Sequence, residues 1–136
     1  MLLCALDYAR RGAPPRHLWL SVAGVAIGVG TFILRSQSRR ALALMWSVQV
    51  EIRENHILVQ TDPYARIRHP IYLATMMEVV AAMLLFNAWI PGLAGLVALA
   101  AVLAGRIRIE ERAMEEKFGE AWREHRLRTG LLWPRA

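Results

Sequence analysis

Two stretches of the chain stay apolar for longer than a soluble helix needs. Residues 18–34 form an uncharged run of 17, and residues 71–104 a run of 34 in which Glu78 is the one charge. At about 1.5 Å per residue the first covers about 25 Å, a little short of a hydrocarbon core about 30 Å thick, so tilt, local thinning or a partner helix must make up the rest. The second run is twice as long and is punctuated by Asn87-Ala88-Trp89-Ile90-Pro91-Gly92. Pro and Gly break a helix and Trp suits a membrane interface, so this run predicts a helical hairpin. The pattern therefore predicts an all-α integral membrane protein with about three transmembrane helices, one plus a hairpin, in a single domain over residues 1–136. Before the first span, apolar residues 1–6 are followed by Arg10, Arg11, Gly12, Pro14, Pro15 and Arg16. That is not a signal-peptide cleavage pattern, so residues 1–17 are expected to lie at the interface.

Between the spans, residues 35–70 are expected to form a cytoplasmic loop. Residues 47–53 alternate polar and apolar, Glu54-Asn55-His56 interrupts, and Ile57-Leu58-Val59 resumes, which predicts a short hairpin or an extended interfacial segment. Thr61-Asp62-Pro63-Tyr64 is a turn signal, and Arg66 to Tyr72 leads back into the membrane with Pro70 placed for a first helical turn. After the last span, within 105–136, the apolar spacing of Ile107, Met114, Phe118, Ala121, Trp122 and His125 predicts one amphipathic helix over 106–127.

Composition sharpens this picture. The 136 residues suffice for one domain and not for a cofactor domain plus a substrate domain. Seventeen basic against eleven acidic residues give a net charge of +6 and a pI near 10.7 despite a mean hydropathy of +0.30. In a soluble protein such a charge would suggest nucleic acid, but here the basic residues flank apolar spans, so no nucleic-acid partner is expected. Fourteen of the seventeen fall in 35–70 or beyond 105, which puts both segments on the cytoplasmic side, in a bacterial inner membrane if the arginine bias reflects a high-GC source. Arg10, Arg11 and Arg16 run against that rule. The single cysteine, Cys4, excludes a disulfide framework and any Cys-based zinc site and reads as a packing residue.

Gly24, Gly28 and Gly30 have neither the preceding strand nor the polar surroundings of a nucleotide-binding loop, so close helix packing is expected of them. Glu78 is costly in a bilayer and is expected to meet another helix or subunit, or to be protonated; about 240° round the helix from Tyr72, it should not share that residue's face. Arg106 and Glu110, one turn apart at the mouth of the third span, read equally as a mutual ion pair or as ligand-binding groups.

His56-Ile57-Leu58-Val59, Tyr64, Arg68-His69-Pro70-Ile71-Tyr72, Glu110-Glu111, Phe118-Gly119 and Trp122 occur in an order and spacing that resembles the isoprenylcysteine carboxyl methyltransferase family, within the integral-membrane methyltransferases that also include phospholipid N-methyltransferases. The resemblance runs over about residues 40–134, and Thr129 to Pro134 is similar to the family's closing segment. It implies that S-adenosylmethionine is bound without a Rossmann fold by Gln49, His56, Ile57, Leu58, Val59, Tyr64, His69, Pro70, Ile71, Tyr72 and Glu110. It implies further that Arg106 faces a lipophilic or lipidated methyl acceptor, with lipid or a second subunit completing the acceptor pocket. Carboxylate O-methylation suits Arg106, which would orient an acid and repel an ammonium. Amine N-methylation and a non-catalytic scaffold remain the alternatives. Asp62 and Ala74 depart from the family pattern, where glycine is common at both positions.

Overall fold

A computed structural model of the chain describes residues 9–10, 18–42 and 58–135, and four named helices account for most of them. These are α1 (Leu18–Leu42), α2 (Pro70–Leu85), α3 (Trp89–Phe118) and α4 (Glu120–Arg128). Cys4, Gln49, His56, Ile57, the interfacial segment apart from residues 9–10 and the alternating stretch up to residue 57 lie outside the described residues. Two helices, α1 and α3, are long and apolar enough to cross a membrane, and α2 is a shorter apolar helix of 16 residues. Trp19, Phe32, Ile90, Val97 and Val102 are all exposed on α1 and α3. Apolar side chains left outward along two such helices are what a lipid solvent requires.

The described residues fall into two compact units, one built around residues 18–33 and 74–101, the other around 34–42, 58–73 and 102–135. In the first, Gly24 is where α1 meets α2. A Cβ there would stand 2.8 Å from both the Ala81 carbonyl oxygen and the Leu85 amide nitrogen, which is backbone and cannot yield. The Ser21 hydroxyl donates to the Leu85 carbonyl at 3.4 Å alongside. Small residues allow this approach, and Ala74, Ala81 and Ala82 are buried on α2. A Cβ on Gly28 or Gly30 would meet none of the described residues, so among these the close packing is at Gly24.

The hairpin turn forms at residues 86–88, with Asn87 at φ 49 in the left-handed region that Asn tolerates at a helix end. The Trp89 indole donates to the Asn87 side-chain carbonyl at 2.6 Å. Pro91 falls within the first turn of α3, where no amide hydrogen is needed, so it starts the second arm rather than breaking the first.

Two expected boundaries are displaced. Residues 35–42, expected in the loop, continue α1: the Ser38 hydroxyl returns to the Leu34 carbonyl at 2.7 Å, so this buried polar side chain is satisfied within the helix. The expected single helix over 106–127 is two pieces. α3 runs unbroken from Trp89 to Phe118, and Gly119 at φ 52 turns the chain into α4, a backbone conformation that glycine adopts without steric cost.

Candidate active site

The second unit gathers the polar residues. Its frame is a backbone junction between the segment before α2 and the segment after α4. Ile67 and Gly130 form a parallel bridge; the Arg68 amide donates to the Gly130 carbonyl at 2.9 Å, the His69 amide to the Leu131 carbonyl at 3.1 Å, and the Gly130 amide to the Arg66 carbonyl at 3.0 Å. A Cβ on Gly130 would run into the Trp133 carbonyl, so glycine is required there. Pro70 opens α2, and the His69 carbonyl accepts from the Tyr72 and Leu73 amides, both at 3.1 Å, closing the first turn. Residues 66–72 are thus held rigidly at the helix entrance.

Side chains from that entrance meet α3. His69 is buried between two carboxylates, with Nδ1 3.5 Å from Glu110 Oε2 and Nε2 3.1 Å from Glu111 Oε1. Its ring stacks on Tyr72 with centroids 5.5 Å apart and planes within 5°. The Tyr72 hydroxyl donates to Glu110 Oε1, and Arg106 Nε donates to that hydroxyl at 3.2 Å. Arg106 Nη2 stands 3.9 Å from Glu110 Oε1, and its guanidinium carbon lies 5.9 Å from the Tyr72 ring centroid. The Arg106–Glu110 ion pair is therefore present but long. Glu110 is held chiefly by Tyr72 and His69.

Burial alone would lower the His69 pKa, but hydrogen bonds and charge from Glu110 and Glu111 outweigh it and hold the imidazole above its ordinary value. Tyr64 shares these neighbours: burial first, then Glu110 and Tyr72, raise its phenol pKa, keeping it a neutral O–H donor at physiological pH. Leu58 and Val59 are half-buried and lie in irregular backbone.

Behind this cluster is an ion network to which sequence reading assigned no role. Arg68 Nε donates to Glu111 Oε1 at 2.8 Å, and Arg68 Nη1 donates to the Thr129 carbonyl at 2.7 Å. Arg126 Nε lies 3.4 Å from Glu111 Oε2 and Arg126 Nη1 3.3 Å from Glu115 Oε2. Thr129 is buried, its hydroxyl donating to the His125 carbonyl at 2.6 Å. Glu111 thus ties Arg68, His69 and Arg126 together, so the two adjacent glutamates do different work. Adjacency to Glu110 was the available signal. Among the described residues no group of three or more His, Cys, Asp or Glu side chains could hold a metal ion.

The site's chemistry is a carboxylate flanked by parallel aromatic rings, with a guanidinium beside it. A carboxylate of this kind can take an ammonium, the rings can pack a planar heterocycle or a sulfonium, and the guanidinium can orient an acid.

Comparison with known proteins fits this arrangement. The chain is 28% identical over 102 residues to the uncharacterized protein YpbQ of Bacillus subtilis (strain 168), a match covering 75% of this chain and 60% of that one. Its fold superposes on the eukaryotic intramembrane Ras methyltransferase ICMT (isoprenylcysteine carboxyl methyltransferase) with a TM-score of 0.78 at 24% sequence identity, over 85% of this chain and 42% of that chain. The chain thus spans less than two thirds of each of these two proteins. The model of the isoprenylcysteine carboxyl methyltransferase (ICMT) family matches residues 24–116, well over half of the sequence, and the chain belongs to that family.

Proposed function

We propose that the protein transfers a methyl group from S-adenosylmethionine to the carboxylate of a lipophilic, isoprenylcysteine-like acceptor, and that the cluster on α2 and α3 is where it does so. The observation that carries this reading is Glu110, a carboxylate steadied by the Tyr72 hydroxyl and His69 Nδ1 with Arg106 one turn away. S-adenosylmethionine, when bound, supplies an electrophilic methyl group on a sulfonium.

This chain's residues would do the rest. Glu110 accepts the α-ammonium in a charge-assisted hydrogen bond, and Tyr72 and His69 fix the direction of its oxygens. Tyr64 and the His69–Tyr72 stack offer aromatic faces to the cationic and heterocyclic parts. The family resemblance implies that Gln49, His56, Ile57, Leu58, Val59, Pro70 and Ile71 would contact the rest of the cofactor. Arg106, half-exposed, presents the acceptor acid. Methyl transfer from a sulfonium to a carboxylate would turn two opposite charges into two neutral groups, with the S–CH3 electron pair left on sulfur, so exclusion of water by this chain would favour it. An acid is already deprotonated near neutral pH, so no general base is required; alignment is the protein's contribution. The active site faces the cytoplasm in this reading, because most of the basic residues lie on its side.

Calorimetric titration of the detergent-solubilised chain with S-adenosylmethionine tests the assignment. Saturable binding that is lost in Glu110→Ala supports it; no binding, or binding indifferent to that substitution, overturns it and leaves a scaffold that kept the fold.

A further inference from the structure

We infer that the cleft between α4 and the closing segment is a docking site for the phosphate headgroup of an anionic membrane phospholipid. The cleft holds about 800 Å³. Leu127, Leu131 and Trp133 form an apolar wall, exposed by 72%, 40% and 72% respectively. Arg68, Arg123, Arg126 and Arg135 line the same space with two carboxylates, Glu115 and Glu120, while Glu111 pairs with Arg68 and Arg126 from behind, which leaves a small excess of positive charge.

Arg135 Nη1 donates to the Leu127 carbonyl at 3.1 Å, folding the chain end back beside α4, while Arg123 Nε is anchored on Glu115 Oε1 at 3.1 Å. Each guanidinium has five N–H donors, so these bonds leave others to present. Arginine matches phosphate geometry in bidentate fashion, and tryptophan with leucine beside arginine is the composition of a side chain set resting at the headgroup level. A soluble acidic protein would match the charge but not the exposed Trp133 and Leu127. The chain is already held in a bilayer by its apolar helices, so lipid headgroups are present at high local concentration. Nothing in this inference depends on methyl transfer.

Hydrogen–deuterium exchange of the full chain in lipid nanodiscs tests it, comparing phosphatidylcholine alone with phosphatidylcholine mixed with phosphatidylglycerol. Exchange across residues 127–135 is expected to slow about tenfold in the anionic discs, the effect of one or two arginines engaging an anionic surface. Arg123→Gln with Arg135→Gln is expected to abolish the difference while exchange in 102–118 stays unchanged. Trp133→Ala, at an exposed position, should weaken it and serves if the double variant fails to fold. Equal exchange in the two lipids overturns the proposal, as does a difference that survives loss of both arginines. Protection reproduced by inorganic phosphate in phosphatidylcholine discs would assign the cleft to a free anion instead, and protection that rises with protein per disc would assign it to a second copy of the chain.

Discussion

Arg68 and Glu111 form a buried ion pair, Nε to Oε1 at 2.8 Å with side chains only 10% and 14% exposed. Through it the entrance of α2, the body of α3 and the segment after α4 share one anchor. Removing one partner leaves the other charge in poor solvent, so Arg68→Ala or Glu111→Ala should each destabilise the fold by about 3 kcal/mol. The double variant should cost clearly less than the sum, because the two residues are directly coupled. Thermal unfolding of the four proteins of this cycle in detergent measures the coupling; simple additivity would mean that the pair does not act as a unit.

Two histidines give the unit opposite pH dependences. The His69 pKa is raised because Glu110 and Glu111 outweigh burial, so its contribution to stability is complete below the ordinary imidazole value of about 6.5 and is lost as pH rises through the higher folded value. The His125 pKa is lowered by burial and by Arg68, so its contribution is complete above about 6.5 and is lost as pH falls through the lower folded value. Unfolding midpoints followed across this range should lose their alkaline decline in His69→Gln and their acid decline in His125→Asn. Exchange of those two outcomes would reverse the assignments.

Tyr72→Phe removes the hydroxyl that donates to Glu110 and receives from Arg106 while keeping the ring that stacks on His69. S-adenosylmethionine affinity should fall about tenfold, the loss of one hydrogen bond to a charged group, with little change in unfolding temperature. Calorimetry on the variant checks this, and unchanged affinity would place the cofactor elsewhere.

Gly24→Ala should destabilise by about 1–3 kcal/mol because its Cβ would press on the backbone of Ala81 and Leu85, whereas Gly28→Ala and Gly30→Ala meet open space and should be tolerated. Thermal unfolding of the three variants distinguishes a helix contact at one glycine from a general preference for small residues.

The apolar runs were legible because lipid imposes a length and a composition. α1, the hairpin and the turn near Asn87 all follow from that one constraint. Residues 35–42 were not legible as helix, since Ser36, Gln37, Ser38, Arg39 and Arg40 read as loop, and the Ser38 hydroxyl bond to Leu34 shows how the helix accommodates one of them. The break at Gly119 was hidden for the opposite reason: helical spacing continues across it, and a left-handed glycine interrupts direction without interrupting the pattern. In the candidate site, Arg106 and Glu110 stood out as charges at the mouth of a span, whereas Tyr72 and His69 were named through the family resemblance, since an interfacial aromatic or a helix-end histidine carries no such signal alone. The junction of 66–69 with 130–131 is made by backbone atoms, which carry no sequence signal beyond the glycine that permits it.

Transfer of labelled methyl from S-adenosylmethionine to an S-prenylated N-acylcysteine, read as label released by alkali, tests carboxylate methylation by this chain. The full chain in detergent or lipid discs should form an alkali-labile methyl ester, and Glu110→Ala and Arg106→Lys should each lower the rate at least about tenfold, since lysine cannot reproduce a bidentate grip. Label found only in alkali-stable amine lipids, or ester formation undiminished in both variants, would contradict carboxylate methylation at this site.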